Sequence, residues 1–276
     1  MNPPTLDDLL ELATGAAVDA GTRAAAGRGT SPGASGLEVD SKSTITDLVT
    51  EHDRAAENVL VDRIISARPD DAIVGEEGTD RPGRSGISWY LDPIDGTTNF
   101  VYGLPGWATS VAAGDGGGML VGVVFIPALD ELFCAARGRG ATLNGRPIRA
   151  SAASDLAVSL VATGFGYAPE QRRRQGRLVA DLLGAVRDIR RLGAAAVDLC
   201  HAACGRVDAY FEAGLNVWDI AAGELIAREA GCVTSDFGGA TPTPRQVVAA
   251  APGIHTELLA HLDARGDTPA SPVSRA

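Results

Sequence analysis

Aromatic side chains are scarce in this 276-residue chain, only 5 % of it. That excludes a core built on large ring clusters and favours close helix–sheet packing through the abundant Ala and Gly. Cysteine is also rare, at Cys134, Cys200, Cys204 and Cys232, too few for a disulfide-built fold. Cys200 and Cys204 fall four apart in a helical pattern beside His201, but no second Cys/His pair completes a tetrahedral metal set. Small buried thiols of a cytosolic protein are the expectation. Positive charge is short: 24 basic against 35 acidic residues give a net charge of −11 and a pI near 4.8. Binding nucleic acid by counterion release is therefore not expected, and phosphates are repelled at long range unless bound cations invert the local field. No apolar run approaches the ~18–20 residues of a membrane span. The opening MNPPTLDD lacks a basic stretch leading into an apolar one, so neither a signal peptide nor a membrane partner is expected, and the location is read as cytoplasmic.

What is present is patterned. Thr5 and Asp8 form a capping pair ahead of apolar Leu9, Leu10, Ala13, Ala16, Ala17 and Ala20, an amphipathic helix. GRGTSPGASG (27–36) reads as a connecting loop, with a lid as the alternative. Thr50 and Asp53 repeat the capping pattern before a second helix that ends ahead of Pro69. Strands are expected at 72–74, 87–91, 110–114, 119–126 and 131–136, with a hairpin at Asn144-Gly145. Beyond about Ala150 the pattern alternates: strand 158–163, helix 169–183, helix 194–203, strand 209–211, helix 218–230 closed by Gly231, strand 247–250 and helix 254–264, with a frayed tail. The class is α/β (α+β). A helix pair with an antiparallel sheet is expected over 1–150, and an α/β subdomain over 151–276.

The most telling segment is Asp92-Pro-Ile-Asp95-Gly-Thr97-Thr98. Two carboxylates flank a proline that biases Asp92 toward extended backbone, on what reads as a rigid turn ending the strand at Leu91. The Ile94 carbonyl, released from the ladder, is a third oxygen donor. Thr97 and Thr98 begin a helix whose N–H groups suit a phosphate. Alone, the segment reads more readily as a capped turn with two solvated acids, and only the matching motifs elsewhere in the chain outweigh that reading. Glu76 and Glu77 end the strand Ala72–Gly75, and one of them points into any cleft there. Asp219 opens a helix behind the bulky Trp218, where an acid is also an ordinary dipole partner.

Together, Asp92-Pro-Ile-Asp-Gly-Thr97, Gly75-Glu-Glu77 and Trp218-Asp-Ile-Ala-Ala-Gly223 resemble the signature set of the inositol monophosphatase family, which belongs to a superfamily of lithium-sensitive, magnesium-dependent phosphatases. The resemblance runs from about Lys42 to about Gly231. Val186–Cys200 and Gly164–Tyr167 are most similar to bacterial, in particular actinobacterial, members. It implies a layered α-β-α-β-α sandwich, with an antiparallel sheet in the N-terminal half and a mixed sheet in the C-terminal half. It implies metal ligation by Glu76, Asp92, the Ile94 carbonyl, Asp95 and Asp219. Such an all-oxygen set suits Mg2+, with Mn2+ as an alternative, over zinc or copper. Two such cations clamp the attacking and leaving oxygens of a phosphoryl displacement. Glu76, Thr97 and Asp53 are implied as catalytic, the last two handling the attacking water; Asp53 also reads as a helix cap, and His52 as a surface neighbour. Asp95, Gly96, Thr97, Thr98, Gly193, Ala195, Glu212 and Asp219 are implied to contact substrate, supported by Lys42 and Glu77. Arg172–Arg174 read as a solvated helix face, whereas Arg191 is better placed to face or support the site. The implied reaction is hydrolysis of a small sugar or inositol phosphate by a homodimer, most simply myo-inositol monophosphate. Fructose-1,6-bisphosphate, histidinol phosphate and 3′-phosphoadenosine nucleotides are alternatives within the same chemistry. A non-catalytic regulatory protein of the same fold is the alternative outside it.

Overall fold

The computed structural model describes residues 4–28, 39–42 and 48–263; the 27–36 loop lies largely outside them, as does the C-terminal tail. In chain order the elements are α1 (Leu6–Arg28), β1 (Val39–Ser41), β2 (Leu48–Thr50), α2 (Glu51–Ala67), β3 (Ala72–Gly75), β4 (Asp80–Arg81), β5 (Ser88–Asp95), α3 (Thr97–Tyr102), β6 (Ala108–Asp115), β7 (Gly118–Ile126), β8 (Glu131–Ala136), β9 (Ala141–Leu143) and β10 (Arg146–Pro147). They continue with β11 (Leu160–Thr163), α4 (Pro169–Leu182), β12 (Asp188–Arg190), α5 (Ala195–Ala203), β13 (Ala209–Ala213), α6 (Val217–Glu229), β14 (Val233–Ser235), β15 (Gln246–Ala250) and α7 (His255–Asp263).

Two sheets carry the fold. The first runs β10-β9-β8-β7-β6-β5-β3-β4 and the second β12-β11-β13-β15-β14. The capping pairs form as expected: Thr5 N–H donates to Asp8 Oδ2 at 2.9 Å, and Thr50 N–H to Asp53 Oδ2 at 2.8 Å. Small residues let the layers approach. Ala13, Ala16, Ala17, Ala20 and Ala24 of α1 are fully buried, packed in one core with Ile73, Trp89 and Val123 of the first sheet. On the sheet's other face α5 and α6 fill a middle layer, where Val197, Leu225 and Ile226 meet Val124, Phe133 and Tyr210. A Cβ on Gly122 of β7 would stand 2.8 Å from the Ala222 carbonyl oxygen of α6, so glycine sets that spacing. The outer face of the second sheet is covered by Leu178 and Leu182 of α4 and by Leu258 and Leu262 of α7. The order is thus helices, sheet, helices, sheet, helices, as the sequence implied.

Three details differ from the sequence reading. The first sheet is not wholly antiparallel, because β3 and β5 are parallel. The two-residue β4 folds back along the outer edge of β3, so the chain must cross to its inner side to lay down β5. β5 does not stop at Leu91 but continues to Asp95. Val158, expected to open the strand at 158–163, instead closes a single 3₁₀ turn over 156–158 capped by Asp155, and the strand begins at Leu160. In addition, Cys204 caps α5 rather than sharing its helical face with Cys200, and the four cysteines are free thiols.

Candidate active site

The bulge in β5 organises the acids. Asp92 pairs with Ser110 and Asp95 with Ala108, and the register breaks between them. Pro93 lacks an N–H, so the ladder has nothing to lose there. The side chain of Asp92 accepts the Ile94 N–H at 3.1 Å, while Thr109 Oγ1 donates to the Pro93 carbonyl at 2.8 Å. The Ile94 carbonyl is therefore freed by a bulge inside the strand, not by a turn after it. Gly96 follows with φ 86°, and a Cβ there would stand 2.9 Å from that of Ala194. Glycine is needed for both conformation and approach.

Thr97 opens α3 with its hydroxyl 3.2 Å from the Ile94 carbonyl oxygen and 3.3 Å from Asp53 Oδ1. It carries one proton and can satisfy only one of these acceptors at a time. Asp53 is fully buried, and its Oδ2 takes both the Thr50 N–H and, at 2.6 Å, the Thr50 hydroxyl. One carboxylate thus caps α2 with Oδ2 and faces Thr97 with Oδ1. Burial raises its pKa, against the pull of the Thr50 bonds. His52 packs its ring edge on Phe100, 5.7 Å between centroids, away from the cleft.

Glu76 and Glu77 sit in the turn after β3, where Lys42 Nζ bonds them at 2.8 and 2.5 Å. Burial pulls the Lys42 pKa down, but the two carboxylates outweigh it and hold the ammonium above its ordinary range. Glu57, which sequence reasoning missed, braces the turn from α2. It accepts the Glu77 N–H at 2.7 Å and the Thr79 hydroxyl at 2.6 Å.

The second sheet and the middle helices supply the other wall. Asp219 is the third residue of α6, and its Oδ2 accepts the Asn216 N–H at 2.6 Å. As with Asp53, one oxygen serves the cap. The first turn of α5 grips Asp95: Ala195 N–H donates to Oδ1 at 3.2 Å and Ala196 N–H to Oδ2 at 2.6 Å. Asn99 Nδ2 reaches from α3 to the Leu192 carbonyl at 2.8 Å. These bonds tie the strand-end acids to the Gly193–Ala195 segment. Glu212, at the end of β13, has its pKa pushed up to about 7 by burial, opposed by the Tyr210 hydroxyl and the Arg191 guanidinium. Arg191 lies 6.0 Å over the Phe165 ring.

These side chains line one cleft of about 590 Å³ that includes Lys42, Glu76, Asp92, Asp95, Thr97 and Asp219. Gly96, Gly193, Ala195 and Glu212 line it too, as does the Ile94 position. Asp53, Glu77 and Thr98 are not among the lining residues: the first two stand behind Thr97 and Lys42, and Thr98 is half-buried on α3. The wall formed by Phe165, Tyr167 and Gln171 was not foreseen as part of the site, although Gly164–Tyr167 had been singled out as a motif. Arg191 faces the cleft, whereas Arg173 of the other basic cluster pairs with Glu170 on the surface.

Divalent cations fit this donor set by chemistry and by charge. Asp92, Asp95 and Asp219 all have raised pKa values, first from burial and then from Glu76; Asp95 adds to the rise of Asp92 and Asp219, and Glu212 to that of Asp95 and Asp219. Repulsion of that kind calls for positive charge, and oxygen ligands without His or Cys select a hard cation. Among the described residues no three acid, His or Cys side chains are already gathered as closely as a bound ion would hold them. Lys42 meanwhile neutralises part of the Glu76 charge.

A family model, "Inositol monophosphatase family", matches residues 5–266. The inositol-1-monophosphatase SuhB of Mycobacterium tuberculosis is 47 % identical over 238 residues, covering 81 % of each chain. The Nus factor SuhB of Escherichia coli K12 is 43 % identical over 220 residues, covering 78 % of this chain and 82 % of its own. Among solved structures, a Thermotoga maritima IMPase superposes with a TM-score of 0.83 at 34 % identity, covering 93 % of this chain and 97 % of its own.

Proposed function

The chain belongs to the inositol monophosphatase family, and from that premise we propose that this phosphatase releases phosphate from myo-inositol monophosphate in a magnesium-dependent reaction. The observation that carries the proposal is the meeting of Glu76, Asp92 and Asp95 of the first sheet with Asp219 of α6, in one cleft with Thr97 and, from the second sheet, Glu212. Mg2+ held by those four carboxylates and the Ile94 carbonyl would offset phosphate charge and acidify water. The chain's own residues do the rest. The Thr97 hydroxyl orients the attacking water and takes its proton as its own passes to Asp53 Oδ1, 3.3 Å away. Burial raises the Asp53 pKa, which favours accepting that proton. The Gly96–Thr97 amides at the start of α3 receive the phosphoryl oxygens. Glu212 and Asp219 accept hydrogen bonds from ring hydroxyls and fix the alcohol for departure.

The test is phosphate release with Mg2+ from a panel: inositol 1-phosphate, fructose-1,6-bisphosphate, histidinol phosphate and a 3′-phosphoadenosine nucleotide. The inositol ester is expected to show the highest kcat/KM. A higher value for another member would reassign the substrate while leaving the acid set in place. The relatives called Nus factor motivate a second reading, a transcription-linked role. In that reading the biological role survives loss of catalysis in Asp95→Asn.

A further inference from the structure

β13 alternates its side chains across the second sheet, so Tyr210 and Glu212 share one face while Phe211 turns to the core on the other. Tyr210 is fully buried in the middle layer, and its hydroxyl donates to Glu212 Oε2 at 2.7 Å. That bond satisfies a phenol that would otherwise be buried without a partner. It also spends one carboxylate oxygen inside the protein. β11 is the parallel neighbour of β13, and Gly164 follows its last residue. A Cβ on Gly164 would overlap the Glu212 carboxylate itself. Glu212 is 8 % exposed and lines the cleft. Nothing covalent stiffens the three rotatable bonds of a glutamate, so its direction depends on these neighbours.

We propose that Tyr210 and Gly164 are positioning residues for substrate choice. The Tyr210 hydroxyl pins Oε2, and the missing Cβ of Gly164 leaves room for the carboxylate in that rotamer. Oε1 is then left for the vicinal hydroxyls of a polyol phosphate. This rests on the phosphatase reading above. It adds that the preference for a ring bearing adjacent hydroxyls depends on how Glu212 is held, by Tyr210 behind the cleft and by Gly164 in its wall. Any role of Tyr210 in fold stability alone would weaken all substrates alike, whereas positioning acts only through Glu212.

The experiment is a double-mutant cycle read as KM and kcat on two esters, inositol 1-phosphate and 4-nitrophenyl phosphate, which has no vicinal hydroxyls. Tyr210→Phe keeps the ring and removes the hydroxyl. It should raise KM for inositol 1-phosphate by roughly three- to tenfold, the size of one lost hydrogen bond, and barely change kcat. KM for 4-nitrophenyl phosphate should stay near that of the wild type. In a Glu212→Gln background the same change should add less than about twofold, because the two residues act as one device. Gly164→Ala should reproduce the Glu212→Gln pattern; if it does not fold, Tyr210→Phe still carries the test. An equal KM rise on both esters, or a Tyr210→Phe effect undiminished in Glu212→Gln, overturns the positioning role while leaving the phosphatase reading intact. A wild-type protein that hydrolyses neither ester with Mg2+ overturns that reading, and this role with it.

Discussion

Asp53→Asn separates the two roles that one carboxylate combines. Oδ2 closes the α2 capping box through two bonds to Thr50, at 2.8 and 2.6 Å, and Oδ1 faces the Thr97 hydroxyl at 3.3 Å. Asparagine can keep the first function, since its amide oxygen can still accept the Thr50 N–H and hydroxyl. It cannot keep the second, because the amide nitrogen turned toward Thr97 is a donor whose lone pair is delocalised into the carbonyl and takes up no proton. Loss of a general base costs roughly 10²–10⁴ in rate. The melting temperature should hardly move, because the cap survives and burial already disfavours the charged form of Asp53. Asp53→Ala is the contrast: it loses both bonds to the N-cap Thr50 as well, about 1–2 kcal/mol, which is a fall of roughly 2–8 °C for a chain of this size. Thr97→Ala should lower kcat, and its combination with Asp53→Asn should be little worse than the poorer single variant. The assay is kcat at saturating Mg2+, with thermal melting of each variant. Near-wild-type kcat in Asp53→Asn would reduce Asp53 to a helix cap and leave Thr97 in need of another base.

Asp95→Asn should depress phosphate release from every ester tested, whereas Glu212→Gln should raise KM and reorder the substrates, at about 1–3 kcal/mol for one lost hydrogen bond; equal, substrate-independent losses would refute the assignment. Lithium should inhibit, as a cation of half the charge entering the same acid cluster, and undiminished turnover at high lithium would count against it. The contribution of His201 to stability should fall in mild acid, because its pKa is lowered from 6.5 to about 4 by burial and by Arg206, which donates to its Nε2 at 3.2 Å; the buried acids with raised pKa values act in the opposite sense. The unfolded chain takes up this proton first, so the contribution is complete above about pH 6.5 and lost as pH falls toward 4. At most it amounts to about 3 kcal/mol. The stability of wild type relative to His201→Gln, measured by urea unfolding, should shrink as pH falls through that window, and parallel pH curves would refute the reading.

Much of the architecture was legible because it is local. The Thr5/Asp8 and Thr50/Asp53 pairs announce helix starts, and a short apolar run after the Pro127–Asp130 turn marks β8 at Glu131–Ala136 to the residue. Asn144, at φ 49°, and Gly145, at φ 73°, make the left-handed hairpin turn their identities predict. The course of β5 through Pro93 was not legible, because proline and aspartate read as strand breakers and only the bulge against β6 accommodates them. β4, β12 and β14, of two or three residues, are too short to show a period. The candidate acids were legible as motifs, but their supports were not. Glu57, Tyr210 and Asp198 look like ordinary helix or strand positions until the fold brings distant partners to them. Asp198 is the extreme case: it is buried under the site in α5, its pKa is raised by burial and then by Glu212 and Asp95 against the pull of Arg191 and the Gly193 N–H, and neither of its oxygens makes a hydrogen bond of good geometry among the described residues.

The central claim is that the carboxylates of Glu76, Asp92, Asp95 and Asp219 form a cation-dependent hydrolytic centre. Its most direct test is phosphate release from inositol 1-phosphate during a Mg2+ titration of EDTA-treated protein, paired with calorimetric Mg2+ binding for wild type and Asp95→Asn. The account predicts no release before Mg2+ is added, activity that rises with calorimetric occupancy, and weakening of both in Asp95→Asn. Full turnover in excess EDTA, or unaltered Mg2+ binding and turnover in Asp95→Asn, would contradict it.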